Sequence, residues 1–455
     1  MTPEIYQNRR RALRALMSEE ERARALLLVG HGESPRNYAA NAYRFRQDSH
    51  LLYYTGINAP NLALLMLPDG RDVLFGPPPH PDDIIWCGPG PSLEERAAGA
   101  GLSGTAPRAK LAGHLARLAE SGVESHYPPP YRAETVLDLM GLLGRSLEEV
   151  RGGYSPSLIR CIAEQRAIKT EEEVAQIEDA LGVTALMFAS VALEVRPGRR
   201  EADIAGAMQG VALAHDREQS FPPIVTVRGE ILHNSGYGNV LSAGDLLVVD
   251  CGAESPLGYA SDITRTFPVG ESLEGGRRDL YDIVLAAQAA VIEAVRPGVS
   301  YREMHLLAAR VIADGLHGLG LIRGDVSEAV EAGAHALFFP HGIGHMLGLD
   351  AHDMEDLGDV VGYGAEGERS AQFGLSALRL ARTLEVGHVV TVEPGIYFNP
   401  PLIDRWRAAK RLEEFIDYRA VASFIGIGGI RIEDDLLITD GGARVLGPPI
   451  PKTGR

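Results

Sequence analysis

The tetrapeptide Val-Arg-Pro-Gly occurs twice, at 195–198 and a hundred residues later at 295–298, and each copy closes a long amphipathic stripe. Ahead of the first copy, Val174, Ile177, Leu181, Thr184, Phe188, Val191 and Val195 recur at three-four spacing, which is one face of an α-helix. Thr170, with Glu173 three residues on, is a capping box that starts this helix. Ahead of the second copy, Leu280, Ile283, Val284, Ala287, Val291 and Ala294 form the matching stripe. Proline cannot continue either helix, and glycine permits a left-handed cap. The flanks match as well: EVRPGRREADI and AVRPGVSYREM each lead from a long helix into another helix. The repeat predicts two related halves, each a helix pair backed by strands.

The 455 residues leave room for a further domain before these halves. ALLLVG (25–30), LALLMLP (62–68) and DVLFG (72–76) are short, apolar and closed by Gly or Pro, which predicts strands. Between Ala106 and Ser121, Leu111, Leu115 and Leu118 fall at helical spacing. Residues 1–158 therefore read as an α/β domain. The joint falls in the Gly/Ser/Pro-rich stretch RGGYSPSL, 151–158, and the second domain runs over 159–455.

Charge narrows the partners. Lys+Arg 44 against Asp+Glu 61 gives a net −17, which argues against nucleic acid and against anionic lipid. Three distant cysteines, Cys87, Cys161 and Cys251, contain no CxxC pair. They predict neither a disulfide scaffold nor a thiolate zinc site, and they fit a reducing, cytoplasmic setting. No run of about 18 consecutive apolar residues is present, so no membrane span is expected.

The strands of the second domain carry the polar residues of interest. LLVVDCG (246–252) ends near Asp250, GYASDITRTF (258–267) carries Asp262, and Ser255–Gly258 turns between them. This predicts a hairpin with one aspartate on each arm. HVVTVEPG (388–395) places Glu393 at a strand end, and GIRIEDDLLIT (429–439) places Glu433 in mid-strand. Singly, each acid has a plain reading: Asp250 at a strand-to-turn junction, Asp262 on an exposed face, Glu393 at a turn entry, Glu433 in a solvated strand. Together, four carboxylates in apolar strands would repel unless more than one divalent cation sits among them. Histidines cluster in FFPHGIGHMLGLDAHD (338–353), at His341, His345 and His352. Gly342, Gly344 and Gly348 argue against a long helix there, and HExxH is absent. Three surface-loop histidines are the plain alternative. Carboxylate-rich ligation with one imidazole suits Mn²⁺ before Zn²⁺ or Co²⁺.

These strings resemble the proline-specific metallopeptidases of the pita-bread fold, aminopeptidase P and prolidase. The matching segments are LHNSG around His233, DCGAE, GYASDITRTFP, FFPHGIGHMLGLDAHD, TVEPGIYF and GIGGIRIEDDLLIT, spread over 160–440. YRFRQDSHLLYYTGINAP (43–60) is similar to the creatinase-type N-terminal domain of aminopeptidase P. The resemblance implies two divalent ions per chain: one bound by Asp250, both bridged by Asp262 and Glu433, and the second bound by His345 and Glu393. His233, His341 and His352 would line the cleft, and Arg431 would support the ligands. Trp86, in IIWCG, resembles a tryptophan lent by a neighbouring subunit, which implies a homo-oligomer, a dimer or tetramer. One departure is the spacing of Asp250 and Asp262, one residue longer than expected in the aminopeptidase branch, with room for the extra residue in the turn.

The implied activity is hydrolysis of the N-terminal Xaa-Pro bond of peptides by a hydroxide held between the metals, with Glu393 moving protons and His352 stabilising the oxyanion. A bond to proline has no N–H and a fixed φ, so a site for it must grip by other means. Prolidase, restricted to dipeptides, is the rival, because Arg379 in FGLSALRLAR could pair with a proline carboxylate. A non-catalytic pita-bread binding protein is the other class, disfavoured because all five ligand positions are kept.

Overall fold

Short apolar runs become the strands of the first sheet. Ala25–Val29, Ala63–Met66 and Asp72–Gly76 pair antiparallel. Two strands that the apolar pattern did not reveal complete the sheet: Gly104–Pro107 parallel at one edge and Ser125–His126 parallel at the other. Both are short and built of small or polar residues. Ala106 therefore belongs to a strand, and the helix with Leu111 and Leu115 on its buried face begins at Leu111. Ala25, Leu27, Val29, Ala63, Leu65 and Phe75 pack against that helix and against Val136 and Leu139.

The structure is a computed structural model that describes residues 1–38, 41–78, 82–86, 88–270, 272–364 and 367–452. Cys87 lies outside them. The chain forms two compact units, Met1–Arg166 with Asp356–Gly358, and Ala167–Glu355 with Asp359–Arg455. The Gly/Ser/Pro-rich stretch 151–158 spans the end of the helix Leu147–Gly152 and the start of the helix Pro156–Ala167, and the first unit extends beyond it to Arg166.

In the second unit the repeat is visible down to single hydrogen bonds. The helix Glu171–Glu194 opens where the Thr170 N–H donates to Glu173 Oε2 at 3.1 Å, and it buries Val174, Ile177, Leu181, Thr184, Phe188 and Val191. The helix Gly275–Ala294 buries Leu280, Val284, Ala287 and Val291. Each passes through Val-Arg-Pro-Gly into a second helix, Glu201–Ala214 or Tyr301–Gly318. Gly198 and Gly298 both have φ of +85°, a conformation glycine adopts freely. Gly198 N–H donates to Leu241 O and Gly298 N–H to Leu384 O, each at 2.8 Å. Arg200 then bridges to Val240, and Ser300 to Thr383.

Each helix pair has its own three-stranded sheet. One is Ile224–Thr226, Leu246–Cys251 and Ile263–Pro268; the other is Val389–Val392, Asp434–Thr439 and Gly442–Val445. A separate pair joins Gly395–Tyr397 to Gly429–Arg431. Judged over a window instead of an unbroken run, the helix Glu171–Glu194 is long and apolar enough to cross a membrane, but half of that window is buried inside this unit.

Candidate metal centre

Asp250 lies in LLVVDC, a strand buried throughout, opposite Thr264. Asp262 stands immediately before the partner strand, which starts at Ile263, and its N–H donates to Asp435 Oδ2 at 3.0 Å. Asp262 is only 5% exposed, so the exposed-face reading of this residue fails.

GIRIEDDLLIT is not one strand. Gly429–Arg431 pairs with Gly395–Tyr397, whereas Asp434–Thr439 pairs with Val389–Val392. The two antiparallel chains break at one level: Glu393 and Pro394 on one side, Ile432 and Glu433 on the other. Proline has no N–H for a ladder, which accounts for the break on its side. Glu433 is therefore at a strand end, not in mid-strand, and it is buried, not solvated. Its N–H donates to Thr264 O at 3.0 Å, and Thr264 Oγ1 donates to its Oε2 at 2.7 Å.

The histidine segment forms no α-helix. It runs beside the strand that leads to Glu393. Leu347 N–H donates to Val389 O at 3.0 Å, Thr391 N–H to His345 O at 3.0 Å, and Glu393 N–H to Ile343 O at 2.8 Å. This lacing fixes His345 beside Glu393. His345 Nδ1 sits 3.0 Å from Met346 O, as an N–H donor to that carbonyl. Nε2 is then the free lone pair, and it lies 3.5 Å from Asp262 Oδ2 and 3.8 Å from Glu393 Oε1.

Ligand atoms of Asp262, His345 and Glu433 all lie within 4.8 Å of one another. Burial, then the charge of Asp250, pushes the Asp262 carboxyl well above the usual range. Burial, then Asp262 and Glu393, does the same to Glu433, and burial raises Glu393. Arg431 Nη2 donates to Asp250 Oδ2 at 2.6 Å and so answers one of the four acids. Asp250 Oδ1 and Asp262 Oδ1 are buried without a hydrogen-bond partner among the described residues. Oxygens that have lost water must gain another partner, and hard divalent cations fit this donor set.

Around the acids, Tyr397 OH lies 2.8 Å from His341 Nε2 and accepts from Arg431 Nη1 at 3.0 Å. Burial lowers the His341 pKa to about 3. The His352 ring centroid is 4.4 Å from that of His345, and His352 Nδ1 is 2.9 Å from Glu355 Oε2. His233 is exposed; partial burial, followed by the charges of Arg431 and Arg379, lowers its pKa. Arg379 pairs with Glu355. Trp86 belongs to the first unit, where it is 82% exposed on the short helix Asp83–Trp86; it is not a core residue. Tyr397, Thr264, Asp435 and Glu355 were not foreseen. Tyr397 stood in a quoted motif, four residues past Glu393, and a hydroxyl so placed was the available signal.

The pita-bread arrangement and a carboxylate-rich metal site define a class, and comparison with known proteins bears this out. Residues 175–440 match metallopeptidase family M24, and residues 6–126 match the aminopeptidase P N-terminal domain. The chain belongs to metallopeptidase family M24. It is 30% identical to a probable Xaa-Pro aminopeptidase of Leptosphaeria maculans, over 90% of this chain and 70% of that one. It is 32% identical to one of Fusarium vanettenii, over 88% and 83%. Among solved structures, an Escherichia coli aminopeptidase P variant in complex with substrate superposes with a TM-score of 0.80 at 28% identity, covering 100% of this chain and 97% of that one. Proline aminopeptidase P II from Yersinia pestis gives 0.80 at 29%, covering 99% and 97%.

Proposed function

We propose that this chain is a metal-dependent Xaa-Pro aminopeptidase, cutting between an N-terminal residue and a following proline. The observation that carries this reading is the gathering of buried acids with orphaned oxygens on Asp250 and Asp262 around His345. Relatives that are probable Xaa-Pro aminopeptidases over most of both chains support it. Asp250 would hold one divalent ion, Asp262 and Glu433 both, and His345 and Glu393 the second. Ions bound there supply Lewis acidity and a water of lowered pKa.

The chain's own residues orient the peptide and move the proton. Glu393, whose carboxyl burial holds above the usual range, takes a proton at its carboxylate and returns it to the proline nitrogen. That nitrogen carries no hydrogen in the peptide, so a cleft that asks for no N–H accepts it. His352, bonded at Nδ1 to Glu355, meets the scissile carbonyl oxygen with Nε2 and donates to it as the imidazolium, in which both ring nitrogens carry a proton. His233 and His341 line the cleft, and Arg431 holds Asp250. We assign Mn²⁺, ahead of Zn²⁺ or Co²⁺, on the hardness of the donors. We also assign a homo-oligomer in which Trp86, 82% exposed, reaches a neighbouring subunit. A cytoplasmic location is supported by the unpaired thiols of Cys161 and Cys251.

Protein stripped of metal and reloaded with Mn²⁺ should release the first residue of an Xaa-Pro-Xaa tripeptide. Undiminished release without metal, or no release from any peptide with proline second, rejects the reading. A dipeptidase is the second reading, because the charge of Arg379 reaches Glu393 and the cleft histidines. Cleavage of the Xaa-Pro dipeptide alone, lost in Arg379→Ala, would establish it.

A further inference from the structure

Glu355 engages two residues of the cleft at once. Its Oε2 accepts from His352 Nδ1 at 2.9 Å, and its Oε1 accepts from Arg379 Nη1. The first contact is local, three residues apart; the second spans 24 residues. The side chains of His352, Glu355 and Arg379 are 38%, 52% and 37% exposed, and ion pairs this wet add little to stability. Folding therefore does not explain a carboxylate that holds both groups. Their position does. The His352 ring lies 4.4 Å from that of the ligand candidate His345. The charge of Arg379 acts on His233, His341, His352 and Glu393.

We propose that Glu355 is a positioning and specificity residue, fixing His352 with Nε2 toward the cleft and holding Arg379 away from the substrate's second residue. The first half rests on the reading that His352 meets the scissile carbonyl oxygen. A carboxylate on Nδ1 gives the ring one orientation, and in the imidazolium the Nε2–H is left to meet the carbonyl oxygen. The second half follows from ion-pair exchange. The proline of a dipeptide ends in a carboxylate, which an arginine in the cleft would bind. Here Glu355 already occupies that arginine, so a dipeptide must replace one carboxylate with another and gains no ion pair. In a longer peptide the proline carbonyl is an amide and has nothing to displace. The Glu355–Arg379 pair thus favours peptides longer than two residues.

The test uses Mn²⁺-loaded wild type, Glu355→Ala, Glu355→Gln, His352→Ala and the double variant His352→Ala with Glu355→Ala. Each is assayed on an Xaa-Pro dipeptide and its Xaa-Pro-Xaa extension, with metal content measured alongside. Glu355→Ala should lower kcat on the tripeptide about tenfold with little change in KM. Glu355→Gln keeps an acceptor for His352 Nδ1 and should restore most of that kcat. It frees Arg379, so the dipeptide-to-tripeptide ratio of kcat/KM should rise severalfold. With His352 already alanine, Glu355→Ala should cost no further kcat. Additive losses in the double variant, or an unchanged substrate ratio in Glu355→Gln, would overturn the proposal. An unchanged kcat in His352→Ala alone would instead remove the assigned role of His352, while the substrate ratio still judges the hold on Arg379.

Discussion

Gly344 approaches Thr391 so closely that a Cβ on the glycine would lie 2.0 Å from the Thr391 carbonyl oxygen. The same backbone contact holds His345 and Glu393 side by side. Gly344→Ala must push the loop off the strand and carry His345 with it. We expect at least a tenfold loss of metal affinity, read by calorimetric titration of Mn²⁺ into the metal-stripped protein. Unaltered affinity would show that the loop yields without moving its histidine.

Protons and metal compete for the same acids. Asp262 is raised well above the usual carboxylate range by burial and then by Asp250, and Glu433 by burial and then by Asp262. Without metal, the stability they contribute is present below their unfolded pKa values and lost as pH rises through the raised folded values. Bound cations reverse this. The rise in melting temperature caused by Mn²⁺ should therefore be larger at pH 8 than at pH 5.5. Thermal scans with and without metal decide it; a larger rise at the lower pH would contradict the assignment.

His335 titrates the other way. It is fully buried, and burial lowers its pKa to about 4. The unfolded chain protonates this residue near pH 6.5, the folded chain only near 4. Its contribution is complete above about pH 6.5 and is lost as pH falls toward 4. At about 1.36 kcal/mol per unit, the loss is roughly 3 kcal/mol. Denaturant titrations at pH 7 and pH 4.5 should show a smaller drop in His335→Leu than in wild type.

Tyr397 joins His341 to Arg431 through one hydroxyl. Tyr397→Phe leaves a buried guanidinium nitrogen short of a partner, a cost of about 1–3 kcal/mol. Because Arg431 also holds Asp250, metal affinity should fall about tenfold. Stability lost with metal affinity intact would confine the hydroxyl to a packing role.

Trp86 is 82% exposed, so Trp86→Ala should change unfolding free energy by no more than about 0.5 kcal/mol. Activity per chain and the assembled fraction should fall together. Sedimentation velocity across a concentration series reads the second quantity, and a wild type that sediments as a monomer at every concentration rejects the shared site.

Sequence carried much of this because helix periodicity and stop signals are local. Val174 to Val191 and Leu280 to Val291 lie where their spacing puts them, and the paired Val-Arg-Pro-Gly stops announced the two halves. The acids were identifiable as a set because burying them without a cation is so costly. What local pattern could not give was pairing across distance. Glu433 looked mid-strand because Ile430 and Ile432 continue the alternation, and only the partner strand, broken at Pro394, reveals the interruption. Gly104–Pro107 has no side chains large enough to mark a strand. Nothing local marked Glu355, because its link to Arg379 crosses 24 residues.

The shared interruption at Glu393 and Glu433 has a consequence for how such a chain can change. Its ladder is two short ladders laid end to end, with the two glutamates at the seam. Residues may be added at the outer ends of either ladder, in the turn after Thr439 or the long connection between Tyr397 and Gly429, and the seam stays where it is. A single residue inserted between Val392 and Gly395, or between Arg431 and Asp434, would turn every following side chain to the opposite face. Drift in length is thus free at the periphery of these sheets and forbidden at their join.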